Sequence, residues 1–353
     1  MQVHQILPFF TFGDAIGNLV LEVRRVLKEW GYVSEIYAEN WDRRLAGECH
    51  SFEEYLHRSR SDNLLILHYS TGGQVNRFVL DLPDRVILYY HNITPARYFY
   101  WVNGALAQEL QEARSDLTAL AGRAPAISDS SFDQQELVQM GFRALGVVPP
   151  IFSFAHLLDK PGGSMLPGGR PEKQGTMDWL SVGRLAPNKC LQDVVKAFYY
   201  FHTWIQPRSR LFLVGSTDGM EPYVDQLKQL VARLGLEGAV IFAGRVDALA
   251  PYYRIADIYV SMSEHEGFCI PLVEAMHFGV PILAYASTSV PATLGGAGVL
   301  FKSKDHRLIA EAAQEIVGNA GLRERLCEGE RVRLQAFQPA AVRAQFRTCL
   351  DRA

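Results

Sequence analysis

ADIYVSMSEHEGFCIPLVEAMHFGVPILAY, residues 256–285, holds a strand, a loop, a short helix and a second strand. Ile258-Tyr259-Val260 is a β-branched and aromatic run suited to a buried strand, and Ser263-Glu264-His265-Glu266-Gly267 breaks it with polar residues and a glycine. Pro271 has its φ preset for a first helical turn and Gly279 stands where a helix should stop, so the spacing predicts a helix from about Pro271 to Phe278. The loop then lies at a strand's carboxyl end. Its chemistry is two carboxylates, Glu266 in the loop and Glu274 in the expected first helical turn, predicted to face one mouth. The N–H groups of Phe268 and Cys269 precede the helix and would draw an anion through its dipole. Amides and acceptor carboxylates together suit a phosphorylated, hydroxyl-rich ligand. Spacing by itself favours a plainer alternative, a solvated Glu266 and a Glu274 that only complements the dipole.

At 353 residues and 48% hydrophobic content the chain is too long for one compact core and suits two domains. No apolar run reaches the roughly 18–20 residues that span a bilayer, and the N-terminus lacks a signal-peptide pattern, so a soluble protein that starts inside the cell is expected. Cys49, Cys190, Cys269, Cys327 and Cys349 are odd in number and scattered, which indicates neither a disulfide framework nor a zinc site. Residues 1–155 hold 13 Lys/Arg against 18 Asp/Glu, and the remainder 22 against 20. An acidic N-terminal half argues against a nucleic-acid partner and weakens attraction to anionic lipid.

Val3 to Leu7 reads as a first strand, followed by a glycine-punctuated loop through Asn18. A helix with Leu19, Val23, Val26, Leu27 and Trp30 on one face follows, and Tyr32 to Tyr37 is the next strand. Gly17 sits just before the helix, where an anion would be welcome, although a two-glycine turn usually only turns. Leu64–His68 and Arg85–Tyr90 are strands ending in His68 and in His91-Asn92, at strand ends where open parallel sheets bind ligands; a lone histidine there is as readily a satisfied core residue. Arg97-Tyr98-Phe99-Tyr100-Trp101 reads first as helix packing and second as a lipid- or acceptor-facing element. After strands at Ala126–Ser128 and Gly146–Val148, the composition of Leu158–Gly175 turns to Pro, Gly, Lys and Ser, which is linker chemistry. Beyond it a strand at Trp179–Val182 leads into Gly183-Arg184-Leu185-Ala186-Pro187-Asn188-Lys189, a loop whose two cations could grip a diphosphate or form a solvated basic turn. Strands at Leu211–Val214 and Val240–Val246 follow. Pro339 to Leu350 closes the chain as an amphipathic helix with Val342, Phe346, Cys349 and Leu350 on one side.

Glu266-Gly267-Phe268-Cys269-Ile270-Pro271-Leu272-Val273-Glu274 resembles the E-x7-E signature of retaining, nucleotide-sugar-dependent glycosyltransferases of family four, the glycosyl transferases group 1. Gly183–Lys189 matches that family's G-R-L-x-x-x-K loop, and Gly13–Asn18 resembles its N-terminal loop. Ser289–Gly298 resembles its P-E-T-L-G-G-A-G turn with Ala292 in the place of Glu. The resemblance implies that Glu266 holds donor-sugar hydroxyls, that Glu274 holds the ribose, and that Gly267, Phe268 and Cys269 turn amides toward sugar and phosphates. It implies that Arg184 and Lys189 bind the diphosphate, that Gly17 faces phosphate, and that Arg245 and Val246 flank the base. Asp14 and Asn18 fall on the acceptor side, and His91 near the donor sugar or the reacting centre.

The fold so implied is α/β, GT-B, with two Rossmann-like domains facing across a cleft and a C-terminal helix crossing back to the first. Residues 1–157 would form an N-terminal acceptor-binding domain, 158–176 a Gly/Pro-rich linker, 177–335 a nucleotide-sugar-binding domain and 336–353 the returning helix. The expected activity is hexosyl transfer from a nucleotide-diphosphate sugar to a glycan or lipid-linked acceptor, in bacterial surface-polysaccharide assembly by analogy. Neither a cofactor nor a metal is expected, since the sequence has no D-x-D. The expected location is the cytoplasm, with peripheral contact at the inner membrane face left open along with the oligomeric state. Replacing Lys189 by Ala is expected to suppress turnover far more than stability. An epimerase of the same fold and a non-catalytic sugar-nucleotide-binding protein are the rival readings; a broken cation or carboxylate set would mark the latter, and here the set is complete.

Overall fold

The computed structural model describes residues 2–151 and 175–353. Its strands and helices run β1 Val3–Phe10, α1 Ala15–Glu29, β2 Ile36–Trp41, β3 His50–Ser51, β4 Leu64–Tyr69, α2 Val75–Phe78, β5 Arg85–Tyr90, α3 Gly104–Leu120, β6 Ala126–Ser128, α4 Ser131–Gln139 and β7 Ala144–Val147. Then come β8 Met177–Val182, α5 Leu191–Tyr200, β9 Ser209–Val214, α6 Glu221–Arg233, β10 Val240–Gly244, α7 Ala250–Ile255, β11 Ile258–Ser261, α8 Ile270–Phe278, β12 Ile282–Tyr285, α9 Val290–Leu294, β13 Val299–Phe301, α10 His306–Gly318, α11 Ala320–Leu334 and α12 Pro339–Asp351. By its contacts the chain divides into one unit of Met1–Arg97, Gly104–Ser153 and Phe337–Ala353, and another of Tyr98–Asn103 and Phe154–Ala336. Of the expected linker, all but residues 175–176 lies outside the described residues, as does the expected boundary at 157.

Each unit is built on one parallel sheet. The first has the order β3-β2-β1-β4-β5-β6-β7 and the second β10-β9-β8-β11-β12-β13, every pairing parallel. In both, strand order reverses beside the unit's first strand, at β1/β4 and at β8/β11, and the crevice at the carboxyl ends of such a pair is where this architecture takes ligands. Strands buried on both faces read as near-continuous apolar runs, as β4 does from Leu64 to Tyr69 with every residue buried.

The first unit's core joins Val3, Leu19, Val23, Val26 and Leu27 to Ile66, Tyr89 and Ile127, and the last helix completes it. On α12 the buried residues are Val342, Phe346, Cys349 and Leu350, the predicted side. Phe346 stacks on Trp30 with ring centroids 5.8 Å apart.

Three elements differ from the sequence reading. β2 starts at Ile36, not Tyr32, because α1 ends in a left-handed Gly31 (φ 85) and residues 32–35 are spent turning back; Val33 and Glu35 already accept hydrogen bonds from Val3 and Gln5. Glu274 falls in the second turn of α8, because Cys269 caps the helix in a left-handed conformation and starts it at Ile270. The aromatic run after Arg97 is no helix: a single 3-10 turn at Ala96–Tyr98 precedes a stretch in which Phe99 is buried while Tyr100 and Trp101 are exposed.

Glu330 of α11 is wholly buried, where one carboxyl oxygen accepts the Ile282 N–H at the start of β12 and the other has no hydrogen-bond partner. Burial pushes its carboxyl up to about 8, only partly countered by the Ile282 N–H and Arg323. A group whose folded value lies above its unfolded one stays protonated in the fold, so its contribution to stability is lost as pH climbs from the unfolded value through about 8. Glu330→Gln should therefore gain stability over wild type as pH rises, the difference being about 4 kcal/mol larger at pH 8 than at pH 4 and about 1 kcal/mol or less of it present by pH 5. A pH-independent difference in chemical denaturation would refute this.

Candidate active site

The second unit's switch point carries the site. The loop after β8 runs from Gly183 to Lys189 and feeds α5; the loop after β11 runs from Met262 to Cys269 and feeds α8. Gly215, at the end of β9, has φ 151, and any Cβ there would meet the Gly183 carbonyl at 1.9 Å, so only glycine lets these strand ends close up. Beside them a small, open depression is lined by Ser181, Gly183, Arg184, Lys189, Tyr259 and Ser263 among others. Arg184 and Lys189 thus share one concavity. Arg184 is exposed, and its Nη2 donates to the Asp218 carbonyl at 2.9 Å.

Lys189 Nζ lies 2.7 and 2.8 Å from the two Glu266 carboxylate oxygens. The Glu266 side chain is 8% exposed. Burial opposes the charge on Lys189, but Glu266 more than offsets it and holds the ammonium above its ordinary range. Alongside the pair, Asn188 and its neighbours tie the two loops together through Asn188 Nδ2 to His265 O at 3.1 Å and Glu264 N to Asn188 O at 2.9 Å.

Glu274 is buried and accepts from the Tyr253 hydroxyl at 2.7 Å; Tyr253 in turn lies parallel to Phe278 with centroids 5.2 Å apart. Glu266 thus pairs with a cation and Glu274 with a tyrosine hydroxyl. Gly267, Phe268 and Cys269 lead into the N-terminus of α8, where Cys269 takes φ 68. Arg245 and Val246 follow β10 directly, Arg245 exposed and Val246 half-buried.

The first unit holds the other predicted residues. Gly17 lies inside the first turn of α1, not just before it, and Asp14 caps that helix with its Oδ1 accepting the Gly17 N–H at 2.5 Å, so the amide expected to face phosphate is spent on the cap. Gly17 is required for a different reason: a Cβ there would meet the Thr11 carbonyl at 2.1 Å. Asn18 is exposed on the same turn. His91 is enclosed, its Nε2 2.9 Å from His68 Nδ1 and its Nδ1 2.9 Å from Asp129 Oδ2, while His68 Nε2 reaches Gln5 Oε1 at 2.9 Å. Gln5 Nε2 donates to Val20 O, which leaves its carbonyl facing His68 and places a proton on His68 Nε2. A neutral His68 then accepts at Nδ1, and His91 donates to it from Nε2. Burial lowers His91 to about 3 and raises the Asp129 carboxyl well above its ordinary range, which disfavours charge at both ends of their contact. Both ring nitrogens of His91 are engaged by the protein.

The sequence reading did not single out Tyr253, Asp129 or Thr288. Asp129 follows a strand end and could have been found by the strand-end rule; a tyrosine before a strand carries no such signal. Thr288 Oγ1 meets both the N–H and the carbonyl of Glu266 at 2.9 Å, and nothing in its S-T-S setting announces it.

Residues 169–333 match the family model described as Glycosyl transferases group 1. N-acetyl-alpha-D-glucosaminyl L-malate synthase of Bacillus anthracis is 32% identical over 174 residues, 48% of this chain and 44% of that protein. O-antigen chain mannosyltransferase B of Escherichia coli is 35% identical over 128 residues, 36% of this chain and 33% of that one. The chain thus spans less than half the length of either relative. The solved structure of HepE from Anabaena in complex with UDP-glucose superimposes with a TM-score of 0.77 over 99% of this chain and 100% of that one at 18% identity. The doubly wound α/β class and its GT-B assignment stand on this likeness and on the two parallel sheets.

The ion pair gives the removal of Lys189 a stability cost of its own. Lys189→Ala strands a carboxylate that is almost out of water, which should cost about 1–3 kcal/mol after allowance for its partial exposure. Adding Glu266→Gln should restore part of that loss in a double-mutant cycle followed by chemical denaturation. Additive losses would mean the pair is not coupled.

Proposed function

We propose, from a chain whose residues 169–333 are group 1 glycosyltransferase sequence, that the protein moves a hexosyl group from a nucleotide-diphosphate sugar to a glycan or lipid-linked acceptor with retention of configuration and without a metal ion. The observation that carries the reading is the shared depression of Arg184 and Lys189, with Glu266 paired to Lys189 beside it.

As the bond from the sugar's C1 to the diphosphate opens, negative charge gathers on the leaving group. Arg184 offers a planar fork for two phosphate oxygens and Lys189 a point charge, both fixed before the reaction begins. The α8 N-terminus adds its dipole. Glu266 would accept from donor-sugar hydroxyls and Glu274 from the ribose, with Tyr253 holding Glu274 in place, and Arg245 and Val246 would border the base. Retention follows if the acceptor attacks from the leaving group's own face, with a phosphate oxygen taking its proton. Among the first unit's groups, Asp14 and Asn18 would lie on the acceptor side, Gly17 would shape the turn that carries them, and His91 would act through its held ring face.

No helix among the described residues is long and apolar enough to cross a membrane, and the location we propose is the cytoplasm, with acceptors met at the inner membrane face. A nucleotide-sugar epimerase is the second reading, and the presence of all four site charges, Arg184, Lys189, Glu266 and Glu274, disfavours a mere binding protein.

A thermal-shift screen of UDP-, GDP-, ADP- and dTDP-sugars, begun with UDP-glucose because a structural neighbour binds it, should show one class stabilising the protein by about 2–4 kcal/mol at saturating ligand. Arg184→Ala should weaken that ligand about tenfold or more while leaving the apo melting temperature within a degree or two. Turnover should persist in EDTA. Conversion of the sugar nucleotide without any acceptor would instead establish the epimerase.

A further inference from the structure

The loop that carries Glu266 has no regular secondary structure between β11 and α8. Side-chain hydroxyls hold it instead. Ser287 Oγ donates to Ser263 O at 2.6 Å, Thr288 Oγ1 accepts the Glu266 N–H and donates to Glu266 O at 2.9 Å each, Ser289 Oγ donates to Glu266 O at 2.9 Å, and Thr293 Oγ1 donates to Phe268 O at 2.7 Å. Four hydroxyls of one short segment thus bond five times to three residues of the other, and Glu266 takes three of the five.

Thr288 is the costliest member of this clasp. Its φ is 41, in the left-handed region that a β-branched residue avoids because its Cβ crowds the following carbonyl. Glycine would occupy the position without strain but would bring no hydroxyl. A threonine kept there despite its backbone indicates that the Oγ1 contact with Glu266 outweighs the strain it is held in, and strain of this kind collects where geometry must be exact for function.

We infer that Thr288 is a positioning residue, which fixes the Glu266 main chain so that the carboxylate meets Lys189 and, on the glycosyltransfer reading on which this rests, the donor sugar. The hydroxyl is the working part and the threonine methyl is not.

The test compares Thr288→Gly, Thr288→Ala and Thr288→Ser. Thr288→Gly removes the strain along with the hydroxyl, so it should lose less stability than Thr288→Ala and serves as the variant safest to fold. In the ligand-free proteins, hydrogen exchange at the Glu266 amide should quicken about tenfold or more in the Gly and Ala variants and stay near wild type in the Ser variant. With the sugar nucleotide found in the screen, kcat should fall about tenfold or more in Thr288→Gly and recover to within about threefold in Thr288→Ser, KM moving less than kcat. Wild-type turnover by Thr288→Gly, or an unchanged Glu266 exchange rate, overturns the inference. Should wild type turn over none of the sugar nucleotides, the glycosyltransfer reading falls, and the exchange rates alone decide the clasp: faster exchange supports it and unchanged exchange overturns it.

Discussion

The contact between Lys189 and Glu266 joins residues 77 apart in sequence and makes one site of two separate βα loops. Each loop hangs from a different strand of the second sheet, β8 or β11, and these are neighbours only because strand order reverses between them. A partly buried ion pair contributes little net stability, since desolvating both charges offsets most of their attraction. Its value lies in keeping a cation and a carboxylate poised in a place where water would otherwise scatter them. The Asn188 and Glu264 main-chain bonds then lock the loops at the same spacing on the other side of the pair.

Backbone strain follows the same map. Among the described residues, the non-glycine positions with left-handed φ are Asn92, Cys190, Cys269 and Thr288. Asn92 follows His91, Cys190 follows Lys189, Cys269 ends the Glu266 loop, and Thr288 bonds to Glu266 itself. Cys190 and Cys269 are also the residues that open α5 and α8. For the two cysteines and the threonine such a conformation costs about 1–2 kcal/mol, whereas asparagine adopts it readily.

The sheets and the returning helix were legible because period and composition encode them. Arg85–Tyr90 was read to the residue, and all four apolar residues assigned to the inner side of Pro339–Leu350 are buried. The motif letters likewise located the second unit's cations and carboxylates. What the sequence could not yield was pairing at a distance: that Lys189 meets Glu266, that His91 spends both nitrogens on His68 and Asp129, and that a threonine turns back to hold a glutamate. Such contacts leave no periodic trace. The extent of α8 was legible to within one residue, Ile270 in place of Pro271, while its left-handed cysteine cap is not the one that propensity expects.

The first unit is discontinuous: its core needs Phe346 and Cys349 from the last helix, while residues 175–336 of the second unit run without interruption. Gly146 shows how tightly that helix closes, since a Cβ on it would meet Cys349 Sγ at 2.7 Å. During vectorial synthesis the first sheet is therefore made earliest yet finished latest, waiting with an uncovered apolar face until residues 337–353 have been made. The second sheet can fold in the meantime, so the order in which the halves mature is the reverse of the order in which they are translated.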